Sequence, residues 1–152
     1  MSHRRRLAVL LLAPAVAVGL AACTAEENEP LPTATPVQEL DLGTYRSTSL
    51  TSTSEFEFTD PSDSLTMSID DEAGDRLYID APCNTMGGPF DLSDSVVTIS
   101  DIATTLVGCL PPGDTLDGWV GSILSDPLTV TRSGADLTFR NSWGEMVFTP
   151  SD

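Results

Sequence analysis

Only one stretch of this chain carries a helical period. Leu116, Trp119, Val120, Ile123 and Leu124 fall at i, i+3, i+4, i+7 and i+8, the spacing that gathers apolar side chains on one face of a helix. Asp114 is a good N-cap, and Asp117 three places on predicts a capping-box-like pair near the positive end of a helix over 114–124. Gly118 and Gly121 each weaken that helix by ~1 kcal/mol relative to Ala, so tertiary packing has to hold it. Pro127 stops any continuation. With one short helix available, the rest of the core has to come from strands.

Period-two segments supply them. Tyr45 to Leu50 is rich in β-branched and hydroxyl residues, and Glu55 to Phe58 alternates acid with Phe. Leu65, Met67 and Ile69 share one face of the next strand, and Leu77 to Ala81 returns after the turn Asp70 to Asp75. Gly87 and Gly88 permit a tight reversal after Cys83-Asn84. Pro89 to Leu92 and Val96 to Ile99 then pair across Ser93-Asp94, and Thr104 to Val107 is a short strand or irregular. Leu128 to Thr131, Asp136 to Arg140 and Glu145 to Phe148 close the chain as antiparallel strands joined at Ser133-Gly134 and Asn141 to Gly144. No repeat is evident, so the strands belong to one domain over 43–150.

The N-terminus has a different composition. His3 and Arg4 to Arg6 precede an uncharged run of 16 residues, Leu7 to Ala22, that contains Pro14 and Gly19. That run falls short of the ~20 residues a spanning helix needs, and with its basic start it has the layout of a secretory signal over 1–22. Leu20-Ala21-Ala22-Cys23 resembles the bacterial lipobox, which predicts lipidation at Cys23 and a protein held by lipid on the outer side of the bacterial cell membrane. An ordinary signal with a chance cysteine is the alternative. Residues 24–40 carry three prolines among acids and small polar residues, so 23–42 is expected to act as a flexible tether.

Processing at Cys23 changes the chemistry available. It removes the only His and three arginines, leaving four arginines, no lysine and 23 acids, a net charge of −19. Such a surface disfavours nucleic acid and anionic head groups, and solubility is its plainest role. Ser-His-Asp, Cys-His and His-zinc arrangements are excluded by composition, and no GxGxxG or GxxxxGK[ST] is present. Carboxylate pairs remain, but 23 acids make such pairs by chance. Asp70, Asp71, Glu72 and Asp75, or Asp60 and Asp63, lack the alternation of a calcium loop and read as solvated turns. No metal, cofactor or catalysis is therefore expected. Cys83 and Cys109 remain as an even pair in an oxidising compartment, which favours a disulfide, with two buried free thiols as the alternative.

Cys83-Asn84, Gly87, the strand Val96 to Ile99, the segment Ile102 to Thr105 (Thr104 and Thr105 included) and Cys109 follow one another as in the META/HslJ-like domain, which the chain resembles over roughly 43–149. The resemblance implies an α+β, mostly antiparallel fold: a curled, partly open, barrel-like sheet whose open side the helix fills. It adds Asn84 as a structural turn residue. By analogy with members tied to heat-inducible expression and antibiotic tolerance, it implies support of another envelope protein under stress. Carriage of a lipid or other apolar ligand between sheet and helix is the alternative, and needs an empty apolar cavity of a few hundred Å3. Trp143, in a Ser-Trp-Gly turn, is the candidate partner contact, because it is expected to be exposed.

Overall fold

The computed structural model describes residues 33–53, 56, 65–111 and 113–151. Cys23, the signal, the acid-Phe alternation except Phe56, and Asp60 and Asp63 lie outside them. Ten strands and one helix follow in order: β1 (Thr35–Pro36), β2 (Gly43–Ser52), β3 (Thr66–Asp70), β4 (Arg76–Asp80), β5 (Thr85–Ser93), β6 (Val96–Ile99), β7 (Ala103–Thr104), α1 (Gly113–Ser125), β8 (Leu128–Ser133), β9 (Asp136–Asn141) and β10 (Gly144–Pro150).

The sheet closes on itself. Antiparallel pairing runs β8-β6-β5-β4-β3-β2-β10-β9, and β9 returns to β8. The expected partly open sheet is thus corrected to a closed barrel of eight strands. Two features close it. Val96 and Val97 pair with Thr129 and Leu128, while Thr129 to Ser133 pair with β9, so β8 is bonded along both edges. In β2 the register against β10 shifts between Val147 and Phe148, leaving Thr48 as a bulge. Bulges sharpen coiling, which closure requires. The bulge also moves the inward face of β2 from Tyr45 and Ser47 to Leu50. Buried Ser47 turns this to use: its N–H donates to Leu65 O and its Oγ accepts from Leu65 N.

Gly87 and Gly88 make no reversal. Both sit inside β5, opposite Tyr78 and Leu77 of β4. Their value is small size, because a Cβ on Gly87 would overlap the Leu77 carbonyl oxygen and one on Gly88 the Ser100 carbonyl oxygen. The β5–β6 hairpin turns at Asp94 and Ser95, both at positive φ (51° and 64°) as a type I′ turn demands.

The helix lies across one mouth of the barrel and fills no lateral gap. Leu116, Trp119, Val120, Ile123 and Leu124 are all buried, against residues at the strand ends. The indole N–H of Trp119 donates to Trp143 O at 3.0 Å, Asn141 Nδ2 donates to Ile123 O at 2.8 Å, and Gly121 packs near Met86 Sδ. Burying five such side chains favours the docked helix by roughly 10 kcal/mol at ~1.5–3 kcal/mol each. That outweighs the ~2 kcal/mol its two glycines forfeit.

The other mouth is covered by residues expected to belong to the tether. Thr35–Pro36 pairs with Arg132 and Thr131, and Val37 and Leu40 are buried in the core. Ser95 Oγ donates to Val37 O at 2.9 Å, Tyr45 Oη donates to Asp41 O at 2.8 Å, and Arg132 pairs with Asp41 at 2.8 Å. Burial first and then Asp41 raise the Tyr45 phenol above its ordinary pKa, against the opposing Arg132. Residues 35–41, expected within the flexible tether, thus pack on the barrel. Local composition hid this, because isolated Val37 and Leu40 make no period.

Candidate functional site

The helix-capped mouth carries the cysteines. Cys83, in the β4–β5 connection, is bonded to Cys109, with Cα atoms 5.9 Å apart. Next to Cys83 stands Asn84, whose amide is fully used. Nδ2 donates to Asp117 Oδ2 at 2.7 Å and to Val107 O at 3.2 Å. Oδ1 accepts from Val107 N at 2.8 Å and from Thr105 Oγ1 at 3.2 Å. The amide's orientation follows from its partners: a backbone N–H can only donate, and a carboxylate can only accept. Thr105 Oγ1 accepts in turn from Thr85 N at 3.0 Å, and Asp117 Oδ1 accepts from Cys83 N at 3.3 Å.

This network pins the loop 105–110 at both ends, with Asn84 holding Thr105 and Val107 and the disulfide holding Cys109. What the loop displays is apolar. Leu106 is 95% exposed, Leu110 84% and Val107 59%. Single exposed leucines are ordinary, but here three apolar side chains within five residues of a pinned loop are exposed together. Leaving two leucines in water forgoes roughly 3–6 kcal/mol of burial, and the network keeps them from folding back.

Of the residues singled out from sequence, the fold brings Cys83, Asn84, Thr105 and Cys109 into one cluster. Thr104 pairs with Met86 beside it, and Gly87 serves β4–β5 contact. Trp143 stands apart and is half-buried. It is edge-to-face with Phe56 at 6.3 Å, with its indole N–H donating to Asp126 Oδ2 at 2.7 Å. The expected exposed Trp143 is thus a packed one.

Three contributors escaped the sequence reading. Asp117 turns its carboxylate to Cys83 and Asn84, so it forms no capping pair; its place about 60° round the helix from buried Val120 was the available signal. Leu106 and Leu110 gave none, since loop exposure has no local pattern. Cys83, Cys109 and Asp117 group within 4.8 Å, but the two sulfurs are bonded to each other.

A concavity of about 440 Å3 opens at the opposite mouth. Glu39, Asp41, Asp71, Asp75 and Asp91 line it beside Leu40 and Phe90. The barrel interior is occupied by Trp119, Phe139, Phe148, Met67 and Ile79. Neither space is the empty apolar cavity that a lipid carrier needs. Among the described residues no helix is long and apolar enough to cross a membrane.

The sequence profile of the META domain matches residues 38–152, most of the chain. The chain belongs to the META domain family. Solved structures share its fold. An NMR structure of a Burkholderia xenovorans protein is 17% identical, with a TM-score of 0.57 over 74% of this chain and 83% of that one. A second NMR structure is 18% identical, with a TM-score of 0.56 over 74% of this chain and 92% of its own. No curated protein matches. At such identities the likeness speaks for the META fold alone.

The Asn84 network gives a testable stability effect in this META domain. Asn84→Ala removes four hydrogen bonds and leaves Asp117, 8% exposed, with an unmet carboxylate oxygen. A loss of about 2–3 kcal/mol is expected, read by urea unfolding. A loss below about 0.5 kcal/mol would show that water replaces the amide.

Proposed function

We propose that this chain is a non-catalytic envelope lipoprotein, anchored through Cys23, whose META domain supports another envelope protein under stress by docking loop 105–110 on it. The exposed, doubly pinned Leu106 and Leu110 carry the reading. A preorganised apolar loop loses little conformational entropy on binding, and two leucines entering a pocket suit a protein partner. Charge narrows that partner. The processed chain has no lysine and a net charge of −19, and exposed Asp101 and Asp114 bracket the loop. The partner is therefore a protein with an apolar pocket rimmed by basic residues.

A photo-cross-linking residue at position 106 tests this in cells, with position 42 at the opposite mouth as control. One discrete protein adduct is expected from 106. Leu110→Asp should weaken binding of that protein by at least about tenfold, with the melting temperature unchanged. Equal adducts from both positions, or lipid adducts alone, would overturn the reading.

A further inference from the structure

We infer that the Cys83–Cys109 disulfide is an exchangeable latch on loop 105–110, opened by an extracytoplasmic dithiol protein. The chemistry stands on the geometry of the bond; only its consequence for binding rests on the docking reading above.

Three observations lead here. The first is access. Both cysteines are only half-buried, and their neighbours Pro82, Gly108 and Leu110 are exposed. A structural staple is more often sealed inside its core, whereas exposed disulfides are the labile or regulatory ones.

The second is the position of the sulfurs. A Cβ on Gly113 would lie 2.9 Å from Cys109 Sγ and 3.1 Å from Cys83 Sγ. Both therefore press on the first residue of α1, whose own N–H donates to Leu110 O at 3.1 Å, at the helix end where the dipole favours negative charge. A thiolate leaving during exchange is stabilised at such a place. The nearby Asp117 carboxylate opposes this, but its two oxygens are already engaged by Cys83 N and Asn84 Nδ2.

The third is locality. The eight-strand ring closes through backbone pairing on either side of β8, and the disulfide is no part of it. Opening the bond releases Cys109 between two remaining holds, Asn84 on Thr105 and Val107 and the Gly113 N–H on Leu110 O. Leu106 and Leu110 then lose their fixed relative position, and the docking surface with it.

The step balances as thiol–disulfide exchange. A thiolate of the dithiol protein attacks one sulfur of the pair, and the Cys83–Cys109 bond breaks to give a mixed disulfide. The second thiol then displaces the bound cysteine. The dithiol protein ends as a disulfide, oxidised by two electrons, and both cysteines of the chain end as thiols carrying its protons.

The test uses the full chain in mild detergent. It is equilibrated in glutathione buffers and its thiols counted by alkylation; separately it is reduced with dithiothreitol and followed by amide hydrogen exchange. Thiols are expected while the barrel is still folded, with exchange over 108–110 rising at least about tenfold and protection in β2, β9 and β10 retained. The Cys83→Ser/Cys109→Ser variant should show the same fast exchange without reductant and cut the adduct from position 106 at least about tenfold. A bond that opens only when the barrel unfolds, or opens without faster exchange at 108–110, would overturn the latch. An equal adduct in both redox states would overturn the latch and leave docking standing. No adduct in either state would sink docking, while the exchange data would still decide the latch.

Discussion

Trp119→Ala is expected to lower the melting temperature by roughly 10–25 °C, from a loss of about 3–5 kcal/mol. The indole has no exposed surface and is the largest side chain in the core. It is also where the helix is joined to the strands. Its ring lies so close to Gly144 that a Cβ there would stand 3.0 Å from Cζ2, and its N–H satisfies the Trp143 carbonyl at 3.0 Å. Truncation therefore leaves a cavity under the helix and takes one of two donors from the Trp143 carbonyl, which keeps Thr53 N–H at 3.1 Å. Trp119→Phe separates the two effects, since most of the volume returns and about 1 kcal/mol of hydrogen bonding does not. Calorimetry of the three proteins is the measurement. A fall of less than about 3 °C for the Ala variant would mean that the helix does not close the mouth of the barrel.

Gly87→Val is expected to cost at least ~3 kcal/mol and to abolish soluble accumulation of the domain. Gly87 is buried at φ +155°, and an added Cβ would overlap the Leu77 carbonyl oxygen and stand 2.7 Å from Tyr78 Cα. Both obstacles are backbone of the paired strand, so neither can rotate away. Separation of β4 from β5 would break the ring. It would also move Thr85 and Asn84, which hold the loop. Gly74→Ala is the control: φ there is +90°, but nothing lies within 4 Å of the added carbon. Its cost should stay near 1 kcal/mol. Similar losses at both positions would show that β4 yields, and that conformational strain alone governs Gly87.

Position 87 shows where local reading stops. A Gly-Gly pair after Asn is a good turn by propensity, yet here the pair serves the approach of another strand. Asn84 is a similar case. Local chemistry reads it as a turn former, but its partners lie 21 to 33 residues away. Trp143 sits in a turn that is polar in sequence, yet Phe56 and Asp126 reach it from elsewhere in the chain.

Several secondary elements of this domain were legible along the chain: the amphipathic helix, the alternating strands at Leu65 to Ile69, Leu77 to Ala81 and Val96 to Ile99, and the three closing strands at the C-terminus. These follow from side-chain periods of 3.6 and two, which need no knowledge of distant residues. The order of the cysteine-bearing segment pointed to the META domain, because a family's order of motifs is written along the chain. Tertiary structure alone decided the closure of the barrel, the docking of residues 35–42, the inward turn of Asp117 and the exposure of Leu106 and Leu110. Each depends on which strand meets β8, on the bulge at Thr48, or on which backbone comes within hydrogen-bonding distance of Asn84. Those are contacts between residues far apart in sequence, and no local period encodes them.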